Sequence, residues 1–458
     1  MKTTQEVKIG NSNCEYGYRI DAIETIPNIN ENIRINKSPQ DIIQVFNTKE
    51  IDTDWSFIEY KPSDTGKWTH NYHRYPAKFI PQLVEKLIDE YIICSEAHIN
   101  DPFFGCGTTI ITGISRGFKV SGTDINKIAY LITKVKSTPI EPEYLEKKIN
   151  NLLSELKILI SPQITFFVDN FEPLIPQKHL DRIDYWFSEE NKIELGIILR
   201  VIYNEEDENI RNFFLVAFSH ILKSCSIWLQ GSTKPTRDFN KKTSRPFDTF
   251  RRHLIKMQHG NNDFYHIVHK NIMENINQYL NIKIGDAKKQ PLDDETADLI
   301  ITSSPYVTSY EYADIHQLST IWLDLADDLK EYKKEFIGSS YKKNDNRVLK
   351  SLIAKDIVEK MEQKSKKMAK EIEAFFIDMQ DVFDEGFRIL KKGGRCCYVI
   401  GDTKLKGIDI LNAEVFAESL QYSGFKFDRL IKREIPSKIL PQKRDAKTGR
   451  FANNHEAN

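Results

Sequence analysis

Apolar positions in the first part of the chain alternate between short strand-like runs and longer stretches with helical spacing. Residues 82–88 place leucine, valine and isoleucine at helical intervals, which predicts a helix with Pro81 in its first turn. Residues 98–100 and 118–126 predict two strands, and a further helix begins between them near residue 108. Strand, helix and strand in this order are typical of one half of an open parallel α/β sheet.

The pattern changes between residues 137 and 280, where helical spacing dominates and strand signals are few. Residues 144–160 and 209–228 are the clearest helical stretches. The aromatic run Tyr185-Trp186-Phe187 lies in this region, and the core of a helical bundle is its simplest place. The pattern therefore predicts a mostly helical insertion.

Strand-like runs return after residue 280 and complete the sheet. Residues 281–287 predict a short strand, and 297–306 predict a buried strand that ends in a proline turn. Helical spacing at 314–325 and 350–388 precedes a glycine turn and a strand at 396–401. The predicted fold class is α/β, with helices on both faces of the sheet and a helical inserted domain. The predicted parts are an irregular N-terminal arm at 1–61, the first half of the sheet domain at 62–136, the insertion at 137–280, the second half at 281–430 and a basic tail at 431–458.

Composition limits the classes of protein to consider. The 458 residues suffice for about two to three domains, and 40% hydrophobic with 29% charged residues is typical of a soluble globular protein. No apolar run reaches membrane-spanning length, and the polar N-terminus lacks a signal-peptide pattern, which predicts a cytoplasmic location without a membrane partner. The six cysteines form no C-x-x-C pair, so we expect neither a zinc site nor a disulfide framework.

Charge is concentrated in two segments, although the net charge of the chain is only −1. Residues 231–257 carry eight basic and two acidic residues (+6), and residues 432–450 carry seven basic and two acidic residues (+5). Such segments suit a protein that meets a polyanion on one face, although a solvated surface would give the same pattern. The predicted DNA-contacting residues are Lys234, Arg237, Lys241, Lys242, Arg245, Arg251, Lys443 and Arg444.

The most informative motif is DPFFGCGTT at residues 101–109. Two glycines after a strand let the backbone turn tightly and approach a ligand, and the helix behind them offers unpaired N–H groups. Asp101 at the end of the strand can accept hydrogen bonds. The third glycine of the dinucleotide motif G-x-G-x-x-G is replaced by Ile110, which disfavours a dinucleotide-dependent oxidoreductase. Asp101 and Asp124 could also be metal ligands, but no histidine cluster accompanies them.

The string D-P-F-x-G-x-G-T-T resembles the cofactor-binding motif of S-adenosylmethionine-dependent DNA amino-methyltransferases, a family with a Rossmann-like sheet. Three further segments resemble motifs of that family: residues 73–81, the pair Gly285-Asp286, and the turn at 390–394. Asp124 resembles the acidic residue that binds the ribose hydroxyls; it could also be the N-cap of the following helix, and the two roles are compatible. By this resemblance S-adenosylmethionine is the cofactor, and its binding residues are Lys78, Phe79, Asp101, Pro102, Phe103, Gly105, Gly107, Thr108, Thr109, Asp124, Ile125, Asp286 and Ala287.

A second motif, Ser303-Ser304-Pro305-Tyr306, follows a predicted strand. An exocyclic amine of a base is a poor nucleophile, and a site can help it by accepting its hydrogens and clamping the flipped base with an aromatic ring. The segment resembles the catalytic motif D/N/S-P-P-Y/F/W of the same family, with Ser303 first, Ser304 in place of a proline, Pro305 third and Tyr306 stacking. In that family a first-position serine accompanies cytosine N4 methylation, and aspartate is common for adenine N6.

The order of the motifs resembles the family arrangement in which the target-recognition region lies between the glycine loop and the catalytic tetrapeptide. The resemblance implies site-specific methylation of double-stranded DNA at cytosine N4, in a prokaryotic setting that includes a cognate restriction endonuclease. Adenine N6 methylation is the first alternative. Because Ser304 replaces a rigid proline, a catalytically weak DNA-binding protein is the second, and an RNA substrate is a further one.

Overall fold

A computed structural model describes residues 37–75, 78–92, 94–160, 171–232, 234–307, 312–337 and 347–434, which all lie in one compact unit. Its strands are β1 His98–Asp101, β2 Lys119–Asp124, β3 Leu280–Ile284, β4 Ala297–Thr302, β5 Leu390–Tyr398, β6 Thr403–Leu405 and β7 Ile408–Ile410. Its helices are α1 Pro39–Thr48, α2 Pro62–Thr65, α3 Pro81–Tyr91, α4 Thr108–Ser115, α5 Lys127–Ser137, α6 Pro142–Leu159, α7 Leu180–Trp186, α8 Glu189–Tyr203, α9 Glu208–Cys225, α10 Pro246–Ile267, α11 Lys270–Glu274, α12 Ile276–Tyr279, α13 Tyr312–Ile315, α14 Gln317–Trp322, α15 Leu329–Lys334, α16 Leu352–Glu362, α17 Lys366–Ile389 and α18 Asn412–Tyr422.

The central sheet is parallel, with the strand order β3-β2-β1-β4-β5. This order reverses direction between β1 and β4, and ligands of open α/β sheets bind beyond the carboxyl ends of the strands at such a point. The fold class predicted from the sequence is therefore confirmed, and each strand that the apolar runs indicated is present, although the bounds of the last one differ.

Helices cover both faces of the sheet because β4 is apolar on both sides. Leu299 and Ile301 pack into the same core as Leu83 of α3 and Ile110 of α4. Ile300 points the opposite way and packs against the end of α17. A strand buried on both faces carries a continuous apolar run, which is the pattern seen at residues 299–301.

The segment between β2 and β3 is helical, from α5 through α12. Its core includes Leu152 of α6, Leu199 of α8, Phe218 of α9 and Phe250 of α10, and it continues into Trp322 of α14. Pro142 opens α6 and Asp207 caps α9, so both long predicted helices have local start signals. No described helix is long and apolar enough to cross a membrane.

Three local predictions differ from the structure. The predicted irregular arm contains α1 within its described part, stabilised by a capping box between Ser38 and Asp41. The single helix predicted over 350–388 is two helices, because Ser365 begins α17 after a turn. The glycine turn at 390–394 lies inside β5, where Leu390 pairs with Ala297 and Arg395 pairs with Leu299, so the intervening residues bulge from the strand.

Candidate active site

A cleft lies at the carboxyl ends of β1, β2, β3 and β4, and its empty space, part of which is open solvent, is about 790 Å³. Ten of the thirteen residues predicted to bind the cofactor line it: Lys78, Phe79, Pro102, Phe103, Gly105, Thr108, Asp124, Ile125, Asp286 and Ala287. From the predicted catalytic segment, Ser303 and Pro305 line the same cleft. The structure thus brings together residues that are about 200 positions apart in the chain.

The glycine loop depends on two residues with positive φ. Gly105 has φ 50° and Gly107 has φ 79°, and Gly107 is the N-cap of α4. A Cβ atom at Gly107 would lie 2.7 Å from Cγ2 of Thr133, and one at Gly105 would lie 3.2 Å from the ring of Tyr75. The Thr133 hydroxyl also donates to the carbonyl of Gly105 at 2.9 Å. Both glycines are therefore required by conformation and by space.

Asp124, at the end of β2, fixes this loop. Its Oδ2 accepts a hydrogen bond from the Gly105 amide at 2.9 Å, and its Oδ1 accepts one from the Asn126 amide at 2.8 Å. Each carboxylate oxygen can accept more than one bond, so the group can still receive ligand hydroxyls. Burial raises the pKa of Asp124 to about 7, although the two amides oppose the shift. The cap of α5 is Asn126, so the capping interpretation of Asp124 is wrong.

Asp101 and Thr109 lie behind the loop and do not line the cleft. Asp101 is 1% exposed and accepts a hydrogen bond from the Phe103 amide at 3.0 Å. Burial raises its pKa to about 6. The Thr109 hydroxyl donates to the Ile301 carbonyl at 3.1 Å and so ties α4 to β4. With Gly107, these residues shape the loop from inside.

Two charged side chains, Lys78 and Asp286, line the cleft. The Lys78 ammonium donates to the carbonyl of His70 at 3.1 Å. Asp286 accepts a hydrogen bond from the Lys288 amide at 3.0 Å, and the Lys288 ammonium lies 3.4 Å from its carboxylate. Phe79 and Ala287, which also line the cleft, supply buried apolar surface. Polar groups at fixed points of a largely apolar wall suit a nucleoside with a charged extension.

The tetrapeptide after β4 divides into two pairs. Ser303 and Pro305 face the cleft, whereas Ser304 is 1% exposed and points into the protein. Among the described residues its Oγ has no hydrogen-bond partner. Tyr306 is half-buried outside the cleft lining, with its Cε1 3.7 Å from the point that a Cβ of Gly401 would occupy. The Val399 amide donates to the Thr302 carbonyl at 2.8 Å and holds the strand end in place.

One wall of the cleft was not expected from the sequence. Glu335, Phe336 and Ile337, which follow α15, line it. Tyr332 anchors this segment because its hydroxyl accepts a hydrogen bond from the Lys127 amide at 3.0 Å, and its ring meets Phe336 at a centroid distance of 5.3 Å. The tyrosine within an otherwise charged helix, sequence LKEYKK, is the signal that could have indicated an anchored segment.

The predicted DNA-contacting residues have different environments. Lys234, Lys242 and Arg251 are exposed. Arg245 pairs with Glu194 at 3.5 Å, and the Lys241 ammonium donates to the carbonyls of Lys223 and Trp228 at 2.7 Å each. Lys241 is therefore an internal brace of the loop. Arg237 lies between two aromatic rings, and Lys443 and Arg444 lie outside the described residues.

The described residues contain no cluster of three or more His, Cys, Asp or Glu side chains that could hold a metal ion. No family model matches the chain. The type II methyltransferase M.MvaI of Kocuria varians is 28% identical to it over 89% of this chain and 93% of the relative. The type II methyltransferase M.MjaII of Methanocaldococcus jannaschii is 23% identical over 64% and 69%, and M.BsoBI of Geobacillus stearothermophilus is 22% identical over 80% and 81%.

The sheet order and the strand-end cleft are those of a Rossmann-like methyltransferase. The chain is similar to these type II methyltransferases, which supports the DNA methyltransferase class that its motifs predicted, and the similarity to the first of these relatives spans both halves of the sheet and the helical segment between them.

Proposed function

We propose that the chain transfers a methyl group from S-adenosylmethionine to the exocyclic N4 amine of cytosine, in a base flipped out of double-stranded DNA, within a restriction–modification system. One observation carries this proposal: Ser303 and Pro305 line the same cleft as Asp124 and the glycine loop. A methyl acceptor held at the tetrapeptide would therefore be adjacent to a nucleoside held at the loop. The type II methyltransferases to which the chain is similar supply the reaction class.

The residues of the cleft fit S-adenosylmethionine. Asp124 can accept the two ribose hydroxyls, the apolar surface of Phe79 and Ala287 suits adenine, and Asp286 can accept from its amine. Lys78 can pair with the carboxylate of the methionine end. Bound there, the cofactor supplies an electrophilic methyl group on a sulfonium. Gly105 and Gly107 allow the loop backbone to come close, because a side chain at either position would meet its neighbours.

The remaining steps belong to the tetrapeptide. The Ser303 hydroxyl accepts a hydrogen bond from the cytosine amine, which localises the nitrogen lone pair and keeps the amine from rotating away. The carbonyl of Ser304 is a second acceptor, and Tyr306 covers one face of the flipped base. Catalysis on this account is positioning and electrostatics. Adenine N6 methylation remains the principal alternative, and the first-position serine favours cytosine.

The test is incubation of unmethylated DNA with S-adenosylmethionine labelled in its methyl group, followed by digestion and chromatography of the nucleosides. We expect label in N4-methylcytosine, lost in Ser303→Ala combined with Tyr306→Ala. The conservative variant Ser303→Thr, which keeps a hydroxyl, is the matched control for the site. Label in N6-methyladenine would instead establish the alternative base, and absence of label from both would refute methyl transfer to DNA.

A further inference from the structure

Phe239 is the most exposed large hydrophobic side chain in the described part of the chain, at 74%. Its ring is not isolated. The Arg237 guanidinium lies 4.4 Å from the Phe239 ring centroid and 4.1 Å from that of Tyr185 on α7. Arg237 is thus held between two aromatic faces, and the far face of Phe239 is open to solvent. A single exposed apolar residue is common on a protein surface, but a ring that also stacks on a guanidinium presents a fixed, flat face to a planar ligand.

Tyr185, Arg237 and Phe239 are called the stack below. Several contacts hold the loop that carries Arg237 and Phe239. Trp228 and Arg237 form an antiparallel bridge, and the Leu229 amide donates to the Thr236 carbonyl at 2.8 Å. Trp228 stacks on Trp186 of α7 at a centroid distance of 5.2 Å. The ammonium of Lys241 donates hydrogen bonds to two backbone carbonyls and so ties the end of the loop to its start. The exposed ring is therefore pre-organised, which lowers the entropy cost of binding.

A chain of contacts links the stack to the cleft. The Arg182 guanidinium lies 5.6 Å from the Tyr185 ring centroid and donates to Oε1 of Gln317 at 2.8 Å. Gln317 opens α14, and its neighbour His316 has Nδ1 3.0 Å from Nδ2 of Asn126. Asn126 in turn donates its amide to Asp124. A chain of contacts thus runs from Tyr185 to Asp124 in the cleft.

The charge around the ring identifies the kind of partner. Residues 231–245 carry five basic residues and one acidic residue, but Lys241 is turned inward and Arg245 pairs with Glu194, which leaves Lys234 and Lys242 as the exposed lysines of this segment. Both lysines are within five residues of Arg237 in the sequence. Basic groups around a flat, exposed ring complement nucleic acid, in which phosphates accompany bases that have π faces.

We propose that Tyr185, Arg237 and Phe239 form a stacking platform for an unpaired base of DNA, with Phe239 as the contacting ring. This rests on the proposed function for its partner, and it adds base contact to a segment expected only to meet phosphates. Stacking of one base on an aromatic side chain changes affinity by about five- to 150-fold. The platform would hold a base that becomes unpaired when the target base flips out of the duplex.

The test measures affinity by fluorescence anisotropy for two labelled duplexes of the same mixed sequence, about 30 base pairs long. One duplex is fully paired and the other carries a single central unpaired nucleotide, which offers an accessible base face without knowledge of the recognition site. We expect the wild-type protein to prefer the second duplex by about fivefold or more. Phe239→Ala should bring the preference within about twofold, and Phe239→Trp should retain it.

Lys242→Ala is the matched control, because it removes an exposed charge from the same loop. It should weaken binding to both duplexes equally and lower the slope of log affinity against log salt by about 0.9. A wild-type protein without preference, or a Phe239→Ala variant that keeps it, would overturn the platform. If the wild-type protein does not methylate DNA but its preference for the unpaired nucleotide persists and depends on Phe239, the proposed function fails and the platform stands. Normal methyl transfer without the preference removes the platform alone.

Discussion

Replacement of Asp124 by asparagine tests the role of this carboxylate in the proposed cofactor site. The carboxylate accepts hydrogen bonds from two backbone amides, those of Gly105 at 2.9 Å and Asn126 at 2.8 Å. Asparagine has one acceptor oxygen, so its NH₂ group must face one of these two N–H donors. A hydrogen bond to a charged group contributes about 1.5–3 kcal/mol, but the neutral asparagine avoids the cost of burying a charge, so we expect the free energy of unfolding at pH 8 to fall by no more than that amount.

The same substitution should weaken ligand binding, because the ribose hydroxyls lose their charged acceptor. A loss of about 1.5–3 kcal/mol corresponds to an affinity about 10- to 140-fold lower. Isothermal titration calorimetry with S-adenosylhomocysteine, which cannot donate a methyl group, measures this affinity directly. Urea unfolding of the same samples measures the stability term separately.

Asp356→Asn is the control. Asp356 is exposed on α16, and within the described part of the chain its side chain forms an ion pair with Lys360 at 2.5 Å. Such a helix-surface pair contributes about 0.2–0.5 kcal/mol, and ligand affinity should not change. If Asp124→Asn loses stability but binds within twofold of the wild type, Asp124 is only a brace for the glycine loop. That result would refute its assignment to the ribose.

Three further predictions follow from the same geometry. Because burial raises the pKa of Asp124 to about 7, calorimetric affinity for S-adenosylhomocysteine should fall from pH 8 to pH 6 in the wild type; an equal fall in Asp124→Asn would contradict this. The stability contribution of that raised pKa has the opposite sign: it is fully present below the unfolded value of 3.8 and is lost as the pH rises through about 7. Gly107→Ala should lower the free energy of unfolding by about 2 kcal/mol or more, because alanine would be strained in the left-handed conformation and would contact Thr133. The control is Gly231→Ala, which has no atom within 4 Å of the added Cβ and should change that free energy by less than about 0.5 kcal/mol in urea unfolding. Equal effects of the two substitutions would refute the steric explanation. Ser304→Ala removes a buried hydroxyl without a partner among the described residues and should raise the free energy of unfolding by about 1 kcal/mol in the same assay, so a decrease would show that the hydroxyl is bonded.

The sequence predicted the sheet and the glycine loop because their determinants are local. Positive φ at Gly105 and Gly107 requires glycine, and β4 is buried on both faces, so both features are visible as residue types. Local signals also existed for α1, whose capping box lies between Ser38 and Asp41, although the polar composition of the arm obscured it.

The remaining features depend on tertiary contacts that residue types do not encode. The wall at 335–337 is held in place by the hydroxyl of Tyr332, which binds a backbone amide about 200 residues away. Charge alone predicts Lys241 at the surface, but its ammonium is turned inward to two carbonyls. The charges of a segment give its sign and not the direction of each side chain, and they carry no information about the exposed ring of Phe239.

Single-molecule sequencing of the DNA of a bacterial host that expresses the chain, beside a host that expresses Ser303→Ala with Tyr306→Ala, tests the central claim most directly. The account predicts N4-methylcytosine within one short sequence throughout the genome of the first host and its absence from the second. Unmodified DNA in both hosts, or N6-methyladenine as the one new base, would contradict cytosine N4 methylation by this cleft.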